Sequence, residues 1–308
     1  MTHQGKGRWG RHTRSSHTAA KIARGVVYLA RDPLHAGLFP EGAAESVERL
    51  ALAAGAVTPR MCRFFERRWV RGLLQRVVEK LGPGEFMRLT LRKRFVDDET
   101  RAAIADGATQ LLIVGPGFDT VGLRMAEAFP HVTVVEVDMP ATAERRRHAI
   151  EQLGTTYQNH HLLGVDVSSV PLGDVLAGIS SWDSKARSVV VAEGVLMYVG
   201  ESEVASFLAE LKEHTGLESR LVFTYLRGDE RGKPSLGKLG FIKASLKLAG
   251  EPLHWAVGEK GLEPFFQRAG CQLLGPSERF DLHRRYLEPA GMGDQPVGKM
   301  EQVAVAAI

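Results

Sequence analysis

Acidic residues stand at the ends of apolar runs along the second third of the chain, and glycines stand at the end of the first such run. The run at 111–114 stops at Gly115-Pro116-Gly117, and that at 132–135 stops at Glu136, with Asp138 two residues on. The run at 162–165 stops at Asp166, and that at 188–192 stops at Glu193. Glycines after a first strand and acids after its neighbours make a crevice for a nucleoside-containing ligand at the carboxyl ends of a parallel sheet. Gly115 and Gly117 permit a tight turn and close approach of the backbone. A carboxylate offers several acceptor sites, so Glu136 suits both hydroxyls of a ribose. Asp138 either contacts the ligand or braces the turn. Asp166 suits an adenine exocyclic amine, with Val165 and Val167 packing on the ring. Glu193 suits the amino end of the ligand, or braces its own loop.

The kind of nucleoside follows from what the turn lacks. A dinucleotide site uses G-x-G-x-x-G, with pyrophosphate held at the helix start. Here the third glycine is Thr120, and Asp119 adds negative charge beside that start, which disfavours a pyrophosphate. A cationic, phosphate-free ligand carrying an amino group fits, so S-adenosylmethionine (product S-adenosylhomocysteine) is expected rather than NAD or FAD. A guanidinium from Arg92 or Arg94, in the run Arg92-Lys93-Arg94, would hold the carboxylate of that cofactor bidentately. Tyr198 and His254 are the candidate catalytic residues on the acceptor side, with Trp255 beside them as a candidate lining residue. A carboxylate acceptor is already ionised near neutral pH and needs no base, whereas a phenol or alcohol needs one, for which Tyr198 or His254 is available.

These residues require an α/β frame. Helical spacing is read at 18–31, 46–54 and 61–81, the last from Met61, Phe65, Trp69, Leu73, Val77 and Leu81, widened by Phe64, Val70, Leu74 and Val78 into one apolar stripe. Gly82-Pro83-Gly84 ends it. After Asp97-Asp98 a short helix leads to the first strand. Further strands at 220–225, 271–274 and 302–306, with helices at 201–213 and 261–269, complete a doubly wound, mostly parallel, seven-stranded sheet with the ligand site over one edge. The expected organisation is a disordered basic tail (1–16), a helical N-terminal cap (17–98) and an α/β domain (99–308). The segment 228–255, helical near 239–248, is a substrate-side insertion.

Composition narrows the class. Hydrophobic content of 44% and charged content of 25% are ordinary for a globular chain of this length. Met1 leads into a polar segment, and no apolar run approaches the roughly 18 residues of a membrane span, so a cytoplasmic protein without a membrane partner is expected. Cys62 and Cys271 are too few for a disulfide framework, and no metal-ligand spacing is present. Residues 1–24 carry Lys6, Arg8, Arg11, Arg14, Lys21 and Arg24 without an acid, and residues 60–94 hold 11 Lys/Arg against Glu66, Glu79 and Glu85. Such patches attract nucleic acid or an anionic surface. No nucleic-acid module accompanies them, and the aromatics of the basic helix are read as belonging to its apolar stripe, so a solvated helix face is expected. The spacing does not set the oligomeric state, monomer or homodimer.

The chain resembles the leucine carboxyl methyltransferase family, which includes bacterial polyketide O-methyltransferases, and so the class I methyltransferase fold. The resemblance rests on SSHTA at 15–19, RKRFVDD at 92–98, VGPGFDTVGLRM at 114–125, VVEVDMP at 134–140, AEGVLMYV at 192–199 and GEPLHW at 250–255. It spans about 15–285. It implies that Gly115, Gly117 and Glu136 hold the methionine and ribose portions of S-adenosylmethionine, that Asp166 faces adenine, and that Glu193 lies beside the amino end. It further implies that an arginine of 92–94 takes the carboxylate and that Tyr198 lines the acceptor side. Pro116 stands where the family has alanine or serine, and Val121 where it has arginine, whereas Arg124 matches. The resulting expectation is O-methyl transfer to a small molecule, a carboxylate first. The alternatives are a catalytically idle cofactor-binding or nucleic-acid-interacting protein using the basic cap, and an NAD-dependent oxidoreductase.

Overall fold

The computed structural model describes residues 16–308 except 168, 230–231, 235–239, 249, 259 and 276–279. The tail expectation therefore lies outside the described residues except at Ser16, as does part of 228–255. Among the described residues, no helix is long and apolar enough to cross a membrane.

Seven strands form one sheet: β1 (Gln110–Val114), β2 (Thr133–Asp138), β3 (His160–Gly164), β4 (Ser188–Ala192), β5 (Arg220–Leu226), β6 (Gln272–Leu273) and β7 (Glu301–Ala307). Their order is β3-β2-β1-β4-β5-β7-β6. All neighbouring pairs are parallel except those of β7 with β5 and with β6, which are antiparallel. Successive side chains of a strand face opposite sides, and both sides are covered, so the central strands are apolar throughout. Leu111, Val189 and Val222 pack on one face, and Leu112, Val190 and Leu221 on the other. The strand order reverses between β1 and β4, and this switch point is where an open α/β sheet has its crevice. The ligand crevice is thus central, not over one edge.

The N-terminal helices are α1 (His17–Leu29), α2 (Pro33–Ala36), α3 (Ala43–Ala53), α4 (Pro59–Phe65), α5 (Arg68–Leu81) and α6 (Glu85–Ala105). Between the strands run α7 (Val121–Ala128), α8 (Pro140–Leu153), α9 (Leu172–Ala177), α10 (Glu201–His214), α11 (Gly240–Leu248) and α12 (Leu262–Arg268). In place of a short helix after Asp98, α6 runs for 21 residues through the whole RKRFVDD segment. Its Leu91, Phe95, Val96, Ala103 and Ile104 are buried under the sheet. It therefore joins the cap to the sheet without a break at 98.

The helix expected over 61–81 is two helices. Arg71 donates to the carbonyls of Phe65 (3.0 Å) and Glu66 (2.7 Å), satisfying the end of α4 without glycine or proline. The stripe also fails to stay buried: Phe64, Trp69, Leu73 and Val77 are exposed, Trp69 to 62%. Adjacent positions lie about 100° apart on a helix, so the 69/73/77 set and the 70/74/78 set face different ways. Val70, Leu74, Val78 and Leu81 turn inward instead.

Candidate active site

A cavity of about 740 Å³ opens over the carboxyl ends of β1, β2 and β4 and runs beneath α1, α5 and α6. The first turn is built by glycine. Gly115 has φ of +68° and Gly117 of +55°. A Cβ on Gly115 would meet Val195 Cγ2 at 2.6 Å, and one on Gly117 would meet Ala19 Cβ at 2.9 Å. Side chains are thus excluded both by backbone conformation and by close neighbours, Val195 at Gly115 and the α1 helix at Gly117.

The two acids of β2 separate in role. Strand β2 runs two residues further than the apolar pattern indicated, so Asp138 and not Glu136 is the tip. Asp138 lines the cavity and accepts from Gly117 N–H (2.8 Å) and Met139 N–H (2.7 Å). Burial pushes its carboxyl up to about 6, against the pull of those two amides. Glu136 lies about 7 Å deeper on the same strand face. It is fully buried and held by Arg146, with Nε to Oε2 at 2.7 Å and Nη2 to Oε1 at 2.6 Å. A Cβ on Gly122 would fall 2.2 Å from Glu136 Oε1, so α7 covers this carboxylate closely. His160 Nε2 lies 3.0 Å from its other oxygen. Glu136 keeps a carboxyl lowered to about 2, since Arg146 and His160 outweigh the burial that raises it. Arg146 Nη1 also donates to the carbonyls of Gly117 (3.1 Å) and Asp119 (2.5 Å). The structure therefore places Glu136 outside the cavity, as the anchor of an arginine that holds the glycine turn.

Helix geometry likewise divides Arg92 from Arg94. Two residues subtend about 200° on a helix, so the two guanidinium groups cannot face one site. Arg94 points away and pairs with Asp98 at 3.0 Å. Arg92 is buried on the cavity wall. Its Nε lies 2.7 Å from Glu193 Oε1, off the N–H axis, so the contact is ionic rather than a hydrogen bond. Its Nη1 pairs with Glu301, and these acids keep its guanidinium charged despite burial. Arg88, one turn earlier, pairs with Glu301 at 2.6 Å and Glu85 at 2.7 Å. Lys93 bridges Asp119 (2.6 Å) and Glu193 (2.7 Å). Asp119 lines the cavity and accepts from Val121 N–H at 2.8 Å. Lys93 and Arg124 hold its carboxyl well below the usual range, although burial opposes them. Its negative charge at the helix start is thus partly offset by Lys93, which sequence reasoning did not single out.

Asp166, Val165 and Val167 line the cavity beyond β3, and Glu193 and Tyr198 line it beyond β4. Burial pushes the Tyr198 phenol up to about 12, and a hydrogen bond with Thr18 pulls the other way. His254 is exposed at the rim of the cavity. Trp255 is buried against Phe265 and packs the core instead. The 15–19 and 250–255 segments meet here: the Glu251 carboxylate accepts from Ser16 Oγ (2.7 Å), from the N–H groups of His17 and Thr18 (3.1 Å each), and from the Thr18 hydroxyl. A carboxylate at a helix start also meets the positive end of its dipole, so Glu251 docks α1 over the cavity.

The wall carries Glu85, Asp119, Asp138, Asp166, Glu193, Glu251 and Glu301 against Lys21, Arg88, Arg92, Lys93 and Lys247. This excess of acids suits a cation better than a pyrophosphate. Toward α5 the lining becomes apolar, with Ile22, Val78, Leu81 and Phe86, and Leu246 and Leu253 add apolar surface beside Met197 and Leu226.

The family model of the leucine carboxyl methyltransferases matches residues 26–212, more than half of the chain. The chain belongs to the leucine carboxyl methyltransferase family. It is 28% identical over 183 residues to the Bacillus subtilis protein YktD, covering 57% of this chain and 59% of that one. It is 27% identical over 176 residues to SCO7813 of Streptomyces coelicolor, covering 55% and 60%. Both carry provisional names as S-adenosylmethionine-dependent methyltransferases. The chain thus spans about three-fifths of the length of these relatives. Among solved structures, a protein of Streptomyces avermitilis from a family of undescribed function superposes with a TM-score of 0.55 at 14% identity, covering 85% of this chain and 96% of that one. A Thermobifida fusca protein provisionally named a methyltransferase gives 0.53 at 17%, covering 89% and 97%. These two show the fold, that of class I methyltransferases. S-adenosylmethionine is the cofactor of this family, and the strand tips fit it.

Proposed function

We propose that the protein transfers a methyl group from S-adenosylmethionine to an oxygen of an apolar small molecule, a carboxylate in the first instance. The observation that carries this reading is one cavity joining acid-bearing strand tips to an apolar chamber. S-adenosylmethionine supplies an electrophilic methyl group on a sulfonium. In this reading Asp138 receives the ribose hydroxyls, a role its raised carboxyl favours, because two further donors would replace the water lost on burial. Asp166 takes the adenine amine, with Val165 and Val167 on the ring. Arg92 holds the carboxylate, while Glu193 and the Gly115 turn hold the amino end. Asp119, tied to Lys93, shapes the wall between them.

The acceptor side supports a carboxylate for a physical reason. Tyr198 stays a neutral phenol near neutral pH, since its ionisation lies near 12, so it donates a hydrogen bond rather than abstracting a proton. His254 sits at the exposed rim. An ionised acceptor oxygen needs only in-line placement and exclusion of water. Tyr198 would orient it, and α1, docked by Glu251, would exclude water. Incubating the protein with S-adenosylmethionine and a library of apolar carboxylates, phenols and alcohols, with mass-spectrometric detection, tests this directly. Methyl esters are the expected products; methyl ethers alone would move the assignment to a hydroxyl acceptor.

A further inference from the structure

The outer face of α4 and α5 is not absorbed by the site. Phe64 and Trp69 stack edge to face at 6.1 Å, and Leu73 and Val77 continue the patch along α5. Trp69 is 62%, Leu73 50% and Val77 46% exposed. Arg76 and Lys80 are interleaved with them, because steps of three, four and seven residues return to one face. Residues 60–81 contain seven Lys/Arg and only two acids, Glu66 and Glu79. Glu79 is turned back to accept from Gly84 N–H at 3.0 Å. The inner side of the same helix contributes Val78 and Leu81 to the apolar end of the cavity.

We infer that α5 docks on an anionic lipid surface through this face, so that the acceptor reaches the cavity from the membrane as an amphiphile or lipid-soluble acid. An exposed tryptophan flanked by aliphatic and cationic side chains matches the composition of an interfacial amphipathic helix. Apolar side chains enter the acyl boundary while the cations meet the headgroups. A nucleic acid would satisfy Arg76 and Lys80 but leave Leu73 and Val77 in water. This rests on the apolar chamber assigned above, and extends it by naming where the acceptor resides.

The test is sedimentation of the full chain with vesicles of phosphatidylcholine containing about one-third phosphatidylglycerol, against pure phosphatidylcholine. The protein is expected to bind the anionic vesicles, less so at high salt, and to bind the neutral ones poorly. The triple variant Trp69→Ser/Leu73→Ser/Val77→Ser, and separately Arg76→Glu/Lys80→Glu, should each bind at least about tenfold more weakly. Both should keep wild-type affinity for S-adenosylmethionine and wild-type thermal unfolding, since these side chains are exposed. Wild-type vesicle binding by the triple variant would overturn the proposal. So would a dimer in light scattering that the triple variant abolishes, or binding of an oligonucleotide in place of vesicles. Failure on vesicles with intact cofactor binding removes the docking alone; loss of cofactor binding in the wild type removes the function on which it rests.

Discussion

The interior of the sheet and its carboxyl rim use the same side-chain chemistry for opposite ends. Glu136 lies inside, sealed beneath α7 and neutralised by Arg146. Asp138 lies at the rim, facing the cavity, and among the described residues its direct donors are the backbone amides of Gly117 and Met139. Their ionisation moves apart accordingly, to about 2 for Glu136 and about 6 for Asp138. A carboxylate held by a guanidinium is part of the scaffold, whereas a buried carboxylate held above its ordinary value is poised for a ligand that brings donors.

The largest effect should come from breaking the scaffold member. Arg146→Met leaves Glu136 charged and buried with only the His160 ring beside it among the described residues, and is expected to cost about 3–5 kcal/mol in urea-induced unfolding. A loss below 1 kcal/mol would show that the pair does not anchor the turn. Asp138→Asn should do the reverse: about 10- to 100-fold weaker cofactor affinity, from loss of charge-assisted hydrogen bonds, with a smaller stability loss of about 1 kcal/mol, because the Asn NH2 cannot accept from the second backbone amide. A more weakly folded protein with unchanged cofactor affinity would exchange the two roles.

Acid sharpens the same contrast. If Asp138 receives the ribose, protonating it removes the charge and one acceptor site, so cofactor affinity should fall as pH drops through about 6. The limiting slope is about tenfold per unit, and it should vanish in Asp138→Asn. Stability responds with opposite signs. The native state holds the Asp138 proton more tightly than the unfolded chain, so this residue's contribution is lost as pH rises from 3.8 through about 6. Glu136 binds its proton less tightly when folded, so its contribution is full above 4.5 and is lost as pH falls toward about 2. Urea titrations of the two single variants across this range would separate the terms.

Smaller effects belong to the lid and the acceptor end. Glu251→Ala removes the acceptor for the start of α1 and should cost about 1–2 kcal/mol, with a several-fold weaker cofactor. Tyr198→Phe should leave cofactor affinity unchanged and lower turnover about tenfold, the value of one hydrogen bond. A fall in affinity with turnover intact would put the hydroxyl on the cofactor side.

The sequence-visible part of this site is the part carried by strands. β4 lies where its apolar run and following acid placed it, and Gly115, Gly117, Asp166 and Glu193 all reach the cavity. The choice between Glu136 and Asp138 was not legible, because both lie on one strand face and the strand end is set by pairing with β1 and β3. Arg146 sits in Arg145-Arg146-Arg147, and Lys93 in another basic run, where nothing local distinguishes the buried member. Glu301 reaches Arg88 and Arg92 from more than 200 positions away. The exposed face of α5 was hidden because Trp69, Leu73 and Val77 and their neighbours Val70, Leu74 and Val78 both recur every four residues, and spacing alone does not say which set turns inward.

S-adenosylmethionine is expected to bind this cavity through the tip of β2. Calorimetric titration of S-adenosylmethionine into the wild type, Asp138→Asn and a conservatively changed Glu136→Gln tests it most directly. Binding by the wild type, sharply weakened in Asp138→Asn and retained by whatever fraction of Glu136→Gln remains folded, is the expected result. Equal affinity of wild type and Asp138→Asn, or no heat of binding with the folded wild type, would contradict it.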